Sequence, residues 1–108
     1  MTVASDATVE TFGTLVDSGN VLIDFWGPQC QPCLQMMPAI EALEQSHDGA
    51  LSVVKVNAAE NRQVCRDLKV FGLPTYVLYR DGAEFGRLSG SPTIEEIRGE
   101  VTRMLEGG

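Results

Sequence analysis

Cys30 and Cys33, in the stretch DFWGPQCQPC (residues 24–33), stand three positions apart with Pro32 directly before the second. Two thiols at that spacing can close a small disulfide ring and open it again, so the pair can carry two electrons. The same spacing also supplies half of a zinc site. The other half is missing, because Cys65 and His47 are the remaining soft ligands and neither forms a paired spacing. Redox exchange is therefore the leading expectation. Two rivals stay open: a binding scaffold in which the dithiol is incidental, and a dimer holding zinc or an iron–sulfur cluster between two CxxC motifs. Turnover and metal content separate these from the first.

The chemistry depends on the residues after the first cysteine. Cys33, Met36, Met37, Ile40 and Leu43 fall at helical spacing, which predicts an amphipathic helix from the second cysteine to near His47-Asp48-Gly49, with a kink at Pro38. A helix leaves its first N–H groups unpaired, and these donors together with the helix dipole stabilise a thiolate on Cys30. Cys30 is then the attacking thiol and Cys33, further into the helix, the resolving one. Pro32 suits a first turn that has no use for its N–H, and it stiffens the link between the thiols. Gln31 has no acid–base role and only shapes the loop.

Asp24 is unusual inside the apolar run VLIDFW. Burial penalises an ionised carboxylate, so its pKa is expected to rise. A carboxyl of that kind near Cys33 can take the resolving thiol's proton, directly or through water. Lys55, on the neighbouring strand candidate, is its expected partner.

The remaining elements must hold these groups in place. A short strand is expected near residues 2–4, then a helix with Val9, Phe12 and Val16 on one face, stopped by Gly19. NVLIDFW and LSVVKVN have the composition and length of buried strands. ENRQVCRDLKV predicts a short helix that turns Val64, Cys65 and Leu68 inward, and Asp81-Gly82 marks a hairpin between two β-rich segments. The C-terminal helix carries a capping box at Thr93 and Glu96 and a stripe of Ile94, Ile97, Val101, Met104 and Leu105. The order βαβαβαββα predicts an α/β fold: a central mixed sheet of about five strands with helices on both faces.

At 108 residues the chain is expected to be a single domain, 1–108, able to bury a core without disulfide staples. A net charge of −7 argues against nucleic acid or an anionic membrane as partner. No apolar run is long enough to span a bilayer, and no secretory leader is visible, which points to the cytoplasm. No phosphate loop or other cofactor motif is present, so no cofactor is expected and electrons must come from a partner protein. Cys65 is expected to act as a small apolar group, His47 as a surface residue, and Met36 and Met37 as packing.

Taken jointly, VLIDFWGPQCQPC, Pro38, KVNAAEN, GLPTYVLYRDG and LSG occur in the order and spacing of the thioredoxins, and the resemblance covers nearly the whole chain. It implies the thioredoxin fold and a thiol–disulfide oxidoreductase that reduces protein disulfides as a monomer, reset by thioredoxin reductase or an equivalent donor. It further implies that Pro74 is cis and lies against the disulfide, and that Leu73 and Thr75 flank a substrate groove. Trp26 would pack beside the site, Asp24 would be the buried proton acceptor with Lys55 near it, and Gly90 would offer substrates a flat surface. The sequence departs from the family's WCGPC core, reading QCQPC: Gln29 replaces an exposed tryptophan, Gln31 a glycine, and Leu34 stands where a cation is common. Loss of the ring removes apolar docking area, and loss of the cation leaves a Cys30 thiolate less stabilised.

Overall fold

The computed structural model describes residues 5–8 and 10–107. Its elements follow the expected order: β1 (Ser5–Asp6), α1 (Phe12–Leu15), β2 (Asn20–Trp26), α2 (Gln31–Ser46), β3 (Ser52–Asn57), α3 (Arg62–Asp67), β4 (Thr75–Arg80), β5 (Ala83–Ser89) and α4 (Ile94–Leu105). The strands form one sheet in the order β1-β3-β2-β4-β5, parallel from β1 to β2 and antiparallel from β2 to β5. β2 is central, so both its faces are covered. That is why NVLIDFW is almost wholly apolar.

Alternation along β2 sends Ile23 and Phe25 to one face, where Phe12, Val54, Val64, Cys65 and Val77 complete a core under α1 and α3. Leu22 points the other way and joins Ile40 and Leu43 of α2 with Ile97, Val101 and Met104 of α4. Two dry layers thus clamp the sheet.

Several boundaries move. The first helix is only four residues long, and Val9 and the strand expected at residues 2–4 lie outside the described residues. α2 begins at Gln31 rather than Cys33 and continues past Pro38 to Ser46. Its buried face includes Glu44 beside Leu43, whereas Met36 and Met37 are half-buried. Ile94 and Leu105, at the two ends of α4, are only partly buried. The hairpin forms where expected, with Asp81 and Gly82 both left-handed at φ 53° and 85°. Thr93 and Glu96 make the reciprocal capping box, with Thr93 N–H donating to Glu96 Oε1 at 2.8 Å and Glu96 N–H to Thr93 Oγ1 at 3.1 Å.

Candidate active site

The central strand delivers the cysteines. β2 ends at Trp26, the chain turns through Gly27-Pro28-Gln29, and α2 starts with Cys30 as its N-cap. Cys30 is extended at φ −94°, ψ 97°, and its Sγ accepts the Cys33 N–H at 3.3 Å, as an N-cap oxygen would. Pro32 lies in the first helical turn. Cys30 and Cys33 are joined as a disulfide with their Cα atoms 5.3 Å apart. Cys33 is fully buried, and Cys30 is half-buried. Only the first sulfur is therefore open to another molecule.

Asp24 sits two residues before the end of β2 and is 1% exposed. Neither carboxyl oxygen has a hydrogen-bond partner in the protein. Desolvation is the larger influence on it and lifts its pKa from 3.8 to about 7; the positive charge of Lys55 pulls the other way. Lys55 is its register partner on β3 and Tyr76 its partner on β4, so all three share one face. The Lys55 ammonium makes its ion pair with Asp6, at 3.9 Å. Tyr76 is buried with an unpartnered hydroxyl, and desolvation first, then the Asp24 charge, raises its pKa.

The Leu73–Pro74 peptide bond is cis. Leu73 reaches the cysteine loop, its Cδ1 standing 3.1 Å from where a side chain on Gly27 would begin, so a larger residue at 27 would collide with it. Cys30, Gln29, Gly27 and Leu73 line one groove, and Pro74 shares a smaller hollow with Pro32 and Met36. Thr75 is buried and its hydroxyl donates to Gly72 O at 2.7 Å, fixing the turn into β4. Gly90 is left-handed at φ 77° and has open space where a side chain would begin, so backbone conformation rather than crowding favours glycine there. Gln31 is exposed at the start of α2.

Trp26 and Lys55 stand elsewhere. They line a hollow with Asp6, Asn57 and Asn61, separate from the groove that holds Cys30. Sequence reasoning overlooked two further features. Glu44 is a second buried carboxyl, 1% exposed, whose Oε2 accepts the Val53 N–H at 2.8 Å. Desolvation raises its pKa, chiefly against the lowering effect of that hydrogen bond. The signal was its place next to Leu43 on the apolar stripe. Arg62 and Arg66 line the Cys30 groove from α3, and Phe71 borders it; no local pattern announces a groove built from three separate segments. Cys65 is buried at the back of the same groove, where desolvation raises its pKa and disfavours the reactive thiolate.

A dithiol that opens and closes at a helix N-terminus, with one sulfur accessible and one sealed, performs thiol–disulfide exchange, and the sheet order and helix placement are those of the thioredoxin fold. Comparison with known proteins agrees. The thioredoxin family model matches residues 3–103. Thioredoxin of Bacillus subtilis is 36% identical over 99 residues, covering 92% of this chain and 95% of its own. Thioredoxin 1 of Nostoc sp. is 33% identical over 93 residues, covering 84% and 87%. A chain from a structural study of thiol resolution in yeast mitochondrial 1-Cys peroxiredoxin, via glutathione/thioredoxin systems, superposes with a TM-score of 0.85 over 93% of this chain and 94% of its own. At 24% identity that likeness shows the fold. This chain belongs to the thioredoxin family and is a thiol–disulfide oxidoreductase with a CxxC pair.

Proposed function

We propose that the chain reduces protein disulfides with Cys30 as attacking thiolate and Cys33 as resolving thiol. The Cys30 thiolate attacks one sulfur of a client disulfide; the client's other sulfur leaves as a thiolate, and a mixed disulfide remains. Cys33 then loses its proton to Asp24 and attacks the Cys30 sulfur. The second client thiolate departs, two electrons have passed to the client, and the pair is left oxidised. A reductase or equivalent donor restores the dithiol.

The observation that carries this reading is the asymmetry of the pair: Cys30 Sγ at the helix mouth accepts an N–H, while Cys33 is sealed beneath it. A helix N-terminus favours the anion on the outer sulfur, and burial holds the inner one protonated until it is needed. Asp24 supports the second step because a carboxyl titrating near 7 exchanges protons at cellular pH. Lys55 moderates that value, and Pro32 limits the motion of the loop. Leu73, Pro74 and Thr75, with Gln29, Gln31 and Gly90, form the surface that receives the client, and Trp26, at the end of β2, stands beside the loop that carries Cys30. We place the protein in the cytoplasm as a monomeric single domain; among the described residues no helix is long and apolar enough to cross a membrane.

Replacing Cys33 with serine and incubating the reduced protein with a lysate tests the assignment. Mixed disulfides through Cys30 are expected to accumulate, and Cys30→Ser is expected to trap nothing. An empty Cys33→Ser trap, or equal trapping by Cys30→Ser, would overturn the roles.

A further inference from the structure

The exposed apolar surface of the molecule is concentrated on one loop. Among the described residues Phe71 and Leu73, at 85% and 37% exposure, are the large hydrophobic side chains left in solvent. An exposed pair of this kind beside a reactive sulfur marks a contact surface. Phe71 forms a ridge between two hollows. The first, about 590 Å³, holds Cys30 and is flanked by Arg62 and Arg66; the second, about 430 Å³, is flanked by Lys69 and Arg87.

The charge around the ridge runs against the composition of the chain. Acidic residues outnumber basic ones by 15 to 8, yet four of those eight cations line the two hollows and no Asp or Glu lines either. Arg87 is committed to Glu84, at 2.7 Å, and to the Leu68 and Lys69 carbonyls. Arg62, Arg66 and Lys69 have no ion pair among the described residues. Lys69 is also held left-handed at φ 58°, in the turn that ends α3, where Lys69 N–H meets Arg66 O and Val70 N–H meets Cys65 O. Glycine would fit that turn without strain, and the lysine found there places its side chain beside Phe71.

We propose that this surface selects client disulfides whose flanking segment carries carboxylates next to an apolar side chain. The apolar group packs on Phe71 and Leu73, and the carboxylates face Arg62 and Arg66 on one side and Lys69 on the other. The inference rests on the role proposed for Cys30 and names the client chemistry of that site. Phe71 supplies, from the opposite wall, an aromatic anchor to a groove in which position 29 offers only glutamine. The net charge of −7 does not reverse the preference. The interaction between exposed charges falls off over about 8 Å at physiological salt, whereas the molecule measures 32 × 27 × 25 Å, so a bound segment feels the cations beside it more than the acids on the far side.

The test uses two peptides with the same internal disulfide and the same neighbouring leucine, one flanked by glutamates and the other by lysines. The reduced protein is mixed with each, the reaction is acid-quenched, and peptide thiols are measured. Each rate constant is divided by that of the same peptide with dithiothreitol, which removes intrinsic differences in disulfide reactivity. The glutamate peptide is expected to react about fivefold to tenfold faster at low salt, with the gap closing at about 0.5 M salt. The pair Arg62→Glu and Arg66→Glu is expected to invert the order. Its rate with uncharged 2-hydroxyethyl disulfide corrects for any change in the Cys30 thiolate itself. Phe71→Ser is expected to slow both peptides by roughly fivefold while leaving their ratio in place. Equal rates for the two peptides, or a ratio unmoved by charge reversal, would overturn the inference while leaving the exchange chemistry intact. Failure to reduce either peptide or the small disulfide would instead remove the reading on which it rests.

Discussion

The two faces of the sheet differ in the buried polarity that they carry. On the face under α1 and α3, the buried polar side chains are satisfied: Asn61 Nδ2 donates to Asn57 O at 3.0 Å and Thr75 to Gly72 O at 2.7 Å. On the face under α2 and α4, the even positions of β2 and β4 carry the unsatisfied buried atoms: Asn20 Oδ1, both Asp24 oxygens, Trp26 Nε1 and the Tyr76 hydroxyl. The side of the cysteine helix holds both buried carboxyls, Asp24 and Glu44, and the opposite side holds none among the described residues. Both faces carry packed apolar layers, and the one under α2 and α4 also carries a carboxyl whose pKa burial raises to about 7.

The largest effect should come from opening the dry face. Phe25 is fully buried in it, and Phe25→Ala is expected to lower stability by about 3–5 kcal/mol at every pH, read by urea denaturation. A loss below about 1 kcal/mol would mean that this layer does not hold the fold.

Asp24→Asn sharpens the contrast because its sign is opposite and depends on pH. The folded pKa of about 7 lies above the ordinary 3.8, so the native protein keeps a proton that the unfolded chain releases between those values. The wild type is thus fully favoured below about pH 4 and loses up to about 4 kcal/mol as pH rises to 7 and beyond. The asparagine variant is expected to be more stable by about 3 kcal/mol at pH 9, the remainder being the cost of a buried amide, and no more stable near pH 4. Its reduction rate is expected to lose the inflection near pH 7. A variant with the same gain at both pH values would show that Asp24 is ionised or solvated throughout.

Glu44 gives the smallest effect, since its one oxygen answers a backbone donor. Glu44→Gln, which keeps an acceptor for the Val53 N–H, is expected to change stability by less than about 1 kcal/mol; Glu44→Leu, which abandons that N–H, by about 1–2 kcal/mol. Identical behaviour of the two variants would remove the hydrogen bond from the account.

How much of this was legible depended on the range of the interaction. The Asp81-Gly82 turn and the Thr93–Glu96 box are local, and each formed where its residues placed it, while the helices and strands from α1 onward kept the expected order even where their ends moved. The short span of α1 was not legible, because Phe12 and Val16 fit a longer helix equally well and only packing under the sheet decides where it stops. The burial of Glu44 was legible only in part: its place beside Leu43 on the apolar stripe marks the inner face of α2, whereas the Val53 N–H that it meets across the gap to β3 leaves no sign in the sequence.

The sequence by itself determined that two thiols would meet at the start of a helix and that an acid would be carried into an apolar strand, because both follow from spacing and period. Only the tertiary structure decided which face of the sheet that acid would occupy, how strongly burial would hold its proton, and that Phe71, Arg62 and Cys30 would border one groove. Those outcomes arise from segments far apart in the chain brought within contact, and desolvation is a property of the assembled surroundings rather than of any residue alone.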